Sequence, residues 1–107
     1  MQEQSTSVDF DTDVLPKMKY ISALTLTTVK KKINCNKRKH CFEMFGFDYF
    51  LDEDYNVYLI EVNTNPCLEE SSALLQKLIP RMLDDMFKLT LDKVYAPSLD
   101  FYQATSL

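Results

Sequence analysis

Three residues near the middle of the chain have the side chains to hold a hard metal ion: Asp48, Glu61 and Asn63. Carboxylate and amide oxygens suit Mg²⁺, which keeps some of its waters and takes further ligands from nucleotide phosphates. They fall in two runs of strand-like composition, CFEMFGFDYFL at residues 41–51 and VYLIEVN at residues 57–63. Both runs are rich in aromatic or β-branched residues. The intervening Asp52, Glu53, Asp54, Tyr55 and Asn56 have turn-forming composition. The pattern predicts an antiparallel β-hairpin.

Side chains alternate between the two faces of a strand, so a register sorts these residues. With a loop of residues 53–56, Asp52 pairs with Val57, Asp48 lies opposite Glu61, and Gly46 lies opposite Asn63. Phe45, Phe47, Tyr49 and Leu51 then share the other face with Tyr58, Ile60 and Val62, a surface suited to core packing. A slip of one residue would move Asp48 to that apolar face. Carboxylates directly across a strand pair repel each other. A cation between them would explain the arrangement. A hydrated polar face, with lysines pairing to the carboxylates, explains it too and is the simpler reading on pattern alone.

Composition narrows the choice of chemistry. The 107 residues contain a single glycine, Gly46, where average usage gives about seven. That excludes a glycine-rich phosphate loop or a dinucleotide fingerprint. Histidine occurs once and tryptophan not at all, so chemistry falls to carboxylates and amides. A net charge of −4, from sixteen acidic and twelve basic residues, argues against a dedicated nucleic-acid binder. The apolar runs are too short to cross a membrane, and the first thirty residues lack a signal-peptide pattern. The three cysteines are expected to be reduced cytosolic thiols. The chain is also short for an enzyme with two lobes around a cleft, so it is expected to be a piece of something larger.

Other elements must position the hairpin. Residues 1–14 are polar and acidic and read as a flexible lead-in. Pro16 suits a first helical turn, and Met18, Ile21, Leu24 and Val29 recur at helical spacing, predicting a helix over about 16–33. The β-branched Thr25, Thr27 and Thr28 weigh against it. Six of the twelve basic residues lie in residues 30–40, as a solvated helix end or as a patch for an acidic partner. A loop follows Asn63, and then Leu74, Leu75, Leu78, Ile79, Met82, Leu83, Met86 and Phe87 predict an amphipathic helix over about 69–94. Pro80 should kink it or split it into two abutting helices. Residues 96–107 read as a loose tail.

Two further clusters are weaker. Asp52, Asp54 and Asn56 imitate the opening of a calcium loop, but Val57 stands where that loop needs glycine and Asn63 where it needs glutamate. A hairpin turn is the better reading. Cys35, His40, Cys41 and Cys67 lack paired zinc-ligand spacing and read as buried or incidental thiols.

The segments Cys41-Phe42-Glu43-Met44-Phe45-Gly46-Phe47-Asp48-Tyr49-Phe50-Leu51-Asp52-Glu53-Asp54 and Tyr58-Leu59-Ile60-Glu61-Val62-Asn63-Thr64-Asn65-Pro66 resemble the C-terminal part of the tubulin–tyrosine ligase-like family. The likeness runs on through Cys67-Leu68-Glu69-Glu70-Ser71-Ser72 and Arg81-Met82-Leu83-Asp84-Asp85 and covers roughly residues 15–95. The resemblance implies an α/β chain forming the C-terminal part of an ATP-grasp fold. It implies a ligase that uses ATP to activate a carboxylate as an acyl phosphate, which an amino acid's amine attacks. The amino acid would be glutamate, glycine or tyrosine, added to a tail of tubulin or another acidic protein. Magnesium and ATP binding would fall to Asp48, Glu61 and Asn63. A cytoplasmic place on the cytoskeleton, at microtubules or a cilium, follows from the same likeness. The family's upstream lysines and acceptor-binding residues cannot be located in this chain. It is therefore expected to be inactive alone, and a non-catalytic interaction module is the alternative reading.

Overall fold

A computed structural model describes residues 7–95, which divide into two compact units. One holds the described part of residues 1–38 together with residues 44–66, and the other holds residues 39–43 and the described residues from Cys67 onward. The elements are an initial π-helical turn Phe10–Val14, helix α1 Leu15–Ile33, strands β1 Gly46–Leu51 and β2 Val57–Asn63, and helix α2 Ala73–Leu89. The α/β class expected from sequence is observed.

In the first unit, part of the expected lead-in is ordered. The Asp9 carboxylate accepts from the Asp11 amide at 2.9 Å, and the Asp13 carboxylate accepts from the Asp9 amide at 2.9 Å. Acidic side chains thus satisfy free N–H groups at the positive end of the helix dipole. The turn they secure carries Val14, which is only 1% exposed. Helix α1 follows directly, with Pro16 in its first turn and Lys30, Lys31 and Lys32 in its last. The threonines that weighed against this helix are accommodated by back-bonding. Thr25, Thr27 and Thr28 donate their hydroxyls to the carbonyls of Ile21, Ala23 and Leu24 at 2.8, 2.7 and 2.8 Å.

Strands β1 and β2 form a two-stranded antiparallel sheet. The first strand is shorter than the expected residues 41–51 and begins at Gly46. Its partner runs out there. Asn63 pairs with Gly46, and the chain then bends at Thr64 and Asn65 ahead of Pro66, which has no N–H for a ladder. Tyr49 fixes the hairpin to α1. Its hydroxyl donates to the Met18 carbonyl at 2.9 Å and shares a hydrogen bond with the Ser22 hydroxyl. At the hairpin tip, the Lys17 ammonium donates to the Tyr55 carbonyl at 3.0 Å.

In the second unit, α2 begins at Ala73 because the Ser72 hydroxyl accepts from the Leu75 amide at 3.2 Å. It stops at Leu89, short of the expected Val94. The Thr90 hydroxyl and amide both turn back to the Met86 carbonyl, at 2.8 and 3.0 Å. Pro80 lies inside one continuous helix instead of dividing it. The residue is exposed, so water can reach the Gln76 carbonyl left without its usual donor. The apolar stripe is only partly covered: Ile79 is buried, whereas Leu74, Leu78 and Phe87 are 71%, 48% and 43% exposed. No helix among the described residues is long and apolar enough to cross a membrane. The expected tail at 96–107 and residues 1–6 lie outside the described residues.

Candidate metal centre

The observed pairing sets Asp48 opposite Glu61 and Gly46 opposite Asn63, as the sequence reading assumed. The route to that pairing differs from the one assumed. The hairpin loop has three residues, Glu53, Asp54 and Tyr55. The Tyr55 amide bonds the Asp52 carbonyl at 3.0 Å and the Asp52 amide bonds the Asn56 carbonyl at 3.2 Å. Tyr55 takes the left-handed conformation, φ 60°, that such loops require at their last position. Leu51 therefore pairs with Val57, one position away from the assumed register. A β-bulge between Asp48 and Tyr49 leaves Ile60 as an extra residue on β2 and restores the pairing at the carboxylates.

The two offsets cancel at the site but not nearer the turn. Tyr58 and Ile60, expected on the core face, are exposed at 53% and 64%. The sheltered face instead carries Phe47, Tyr49, Leu51, Val57, Leu59 and Val62. Phe47 and Tyr49 stack there with ring centroids 6.2 Å apart, while Phe50 and Tyr58 meet on the open face at 6.5 Å.

Asp48 and Glu61 are exposed on that open face, and Asn63 is half-buried beside them. The Asn63 amide nitrogen donates to Asp48 Oδ2 at 3.0 Å and to Glu61 Oε1 at 3.2 Å. Among the described residues, no lysine or arginine forms an ion pair with either carboxylate. The lysine pairing considered from sequence is thus not what joins them; an N–H₂ group with partial positive charge does. The donor set fits a hard divalent cation: two carboxylates offer four oxygens, and rotation of the Asn63 amide would present a further oxygen. A bound cation would offset the cross-strand repulsion and polarise phosphate oxygens held against it. The site is a wall, not an enclosed cavity. A groove of about 580 Å³ is lined by Pro16, Lys17, Tyr20, Ile21, Asn56, Val57 and Tyr58, and none of the three donors lines it.

Asp52, weighed from sequence as the start of a calcium loop, holds the turn instead. Its carboxylate accepts from the amides of Asp54 and Asn56 at 3.0 and 2.8 Å, from the Asn56 side chain at 2.9 Å and from the Tyr58 hydroxyl at 3.1 Å. The Asn56 bonds, side chain first, hold its pKa below the ordinary 3.8, while the same carboxylate pushes the Tyr58 hydroxyl above its usual value. The sequence reading missed this role, although an Asp two residues before one amide and four before another is an Asx-turn signal. A carboxyl with a depressed folded pKa adds stability above its unfolded pKa, and that stability disappears as pH falls through the folded value. In an acid titration followed by tyrosine fluorescence or NMR, the hairpin is therefore expected to loosen below pH 3.8. Asp52→Asn is expected to weaken it at neutral pH and remove that part of the acid transition.

The cysteines do not form a metal site. Cys35, Cys41 and Cys67 are exposed, contrary to the buried alternative, and no group of three or more His, Cys, Asp or Glu among the described residues could hold a metal.

The model of the tubulin-tyrosine ligase family matches residues 13–99. The chain belongs to that family. It is 36% identical over 83 residues to tubulin glycylase 3E and 42% identical over 55 residues to tubulin glycylase 3D, both of Tetrahymena thermophila. These alignments cover 78% and 51% of this chain but 6% and 5% of those proteins. A human tubulin monoglycylase is 28% identical over 100 residues, 94% of this chain and 13% of that protein. The chain thus spans a small fraction of the relatives' length. No solved structure matches it.

Proposed function

We propose that this family member supplies the magnesium-binding wall of an ATP-grasp ligase that joins an amino acid to tubulin, with glycine as the amino acid. The carrying observation is the pairing of Asp48 with Glu61, bridged by Asn63, on an open strand face. Family membership supports ligation chemistry, and the names of the relatives favour glycine over the glutamate and tyrosine weighed from sequence. In this reading Asp48, Glu61 and Asn63 would hold Mg²⁺, which when bound would supply neutralisation of phosphate charge for acyl-phosphate chemistry. Tubulin and a free amino acid are the partners, and the place of action is at microtubules.

The exposure of both carboxylates favours a second reading for the chain alone, an interaction module without turnover, because nothing among the described residues shields them from water. Incubating the protein with labelled glycine, ATP, Mg²⁺ and tubulin separates the two. The ligase reading expects label in tubulin that disappears when Mg²⁺ is chelated. Tubulin binding without label would favour the module, and label from glutamate or tyrosine but not glycine would change the amino acid.

A further inference from the structure

We infer that Gly46 and Pro66 form a contact that positions Asn63 between the two carboxylates, an inference that rests on the proposed metal role of this site. Gly46 is the first residue of β1 and lies opposite Asn63. A Cβ built on it would lie 3.0 Å from Pro66 Cβ, 3.8 Å from Pro66 Cα and 3.8 Å from Asn63 Cβ. The missing side chain therefore makes room for the protein's own Pro66 ring.

The geometry explains why Pro66 matters. Beyond Asn63 the chain bends at Thr64 and Asn65 and brings Pro66 back against the start of β1. The atom in contact belongs to a ring closed onto the backbone, so it cannot rotate away. An added methyl at Gly46 must push the Pro66 ring, and with it the Cα that carries Cβ, by a few tenths of an ångström, and only two residues separate Pro66 from Asn63. The Asn63 amide, meanwhile, must stay within hydrogen-bonding reach of both carboxylates, at 3.0 and 3.2 Å. A shift of a few tenths of an ångström at Pro66 is therefore passed to the group that joins the site. Gly46 is a positioning residue: it touches none of the proposed ligands' oxygens and acts through Pro66. Its backbone conformation does not itself require glycine, because it has no positive φ.

The test uses the full chain and Mn²⁺ alone as a paramagnetic stand-in for Mg²⁺. NMR of the Asn63 side-chain amide gives its position without metal and its broadening with metal. Gly46→Ala is expected to shift the Asn63 amide signals and to raise the Mn²⁺ concentration for half-broadening about tenfold, the usual scale for losing a group that orients a metal ligand. Pro66→Gly removes the opposing Cβ, so Gly46→Ala combined with Pro66→Gly is expected to return both readouts to within about twofold of Pro66→Gly alone. Amide signals of Asp54 and Asn56 at the hairpin tip serve as the control for folding. Unchanged Asn63 signals in Gly46→Ala, no recovery in the double variant, or loss of the tip signals would each overturn the positioning role. If the unaltered chain binds no Mn²⁺, the metal reading fails, and the metal-free shift and its recovery still decide the positioning role.

Discussion

Under the proposed ligase function, replacing Glu61 by Gln in an intact ligase that contains this segment is expected to lower Mg²⁺-dependent amino-acid ligation to tubulin about a thousandfold, while the hairpin stays as stable or becomes slightly more so. The substitution keeps the side chain's size and one carbonyl-type oxygen for the Asn63 amide, now 3.2 Å from Glu61 Oε1. What it removes is a negative charge directly across the strands from Asp48. Loss of that repulsion favours the fold by roughly 0.2–1 kcal/mol, the range for cross-strand pairs. The same charge is what the proposed metal needs. Losing charge stabilisation of several kcal/mol at the phosphoryl-transfer step corresponds to about three orders of magnitude in rate. Opposite signs make the result diagnostic, since a structural role for Glu61 would lower stability and activity together. The measurement pairs a ligation rate over a Mg²⁺ series with a urea midpoint. Undiminished ligation at ordinary Mg²⁺ would exclude Glu61 from the metal site.

Val14→Ala is expected to destabilise the first unit by about 2 kcal/mol, from two buried methyl groups at about 0.8 kcal/mol each and a residual cavity. Val14 is 1% exposed and is the fully buried apolar side chain among the described residues of the first unit. Domains have little stability to lose, and this unit has few other side chains to share the loss. The urea midpoint should fall by roughly 1–2 M for a slope typical of a small domain. Leu24, on the same helical segment but 54% exposed, provides the comparison. Leu24→Ala should change stability by no more than about 0.5 kcal/mol. Equal effects at the two positions would show that the turn at Phe10–Val14 does not organise this unit.

That turn also shows where sequence reading reached its limit. The acidic lead looked loose because polar residues carry no hydrophobic period. Its order comes from Asp9 and Asp13 exchanging bonds with backbone amides, and such bonds leave only a weak mark on composition. Helix α1 was legible because its apolar spacing extended over several turns, and its threonines could return their hydroxyls to the preceding turn. The ends of α2 were less legible. They depend on Ser72 and Thr90 bonding locally, whereas the apolar stripe that predicted the helix, Leu74 to Phe87, lies inside it and marks neither end.

The sequence by itself determined the two-strand composition, the turn between the runs, and the presence of Asp48, Glu61 and Asn63 as hard oxygen donors two strands could bring together. Through its hairpin motif it also carried the family resemblance. Only the tertiary structure decided how the strands count against each other. A three-residue loop, closed by Tyr55 in a left-handed conformation, moves the register by one residue, and the bulge at Ile60 moves it back before Glu61. A strand pattern has period two and cannot reveal a pair of single-residue offsets that cancel. Their sum preserves the facing carboxylates, while the stretch between them turns Tyr58 and Ile60 outward and Val57 and Leu59 inward.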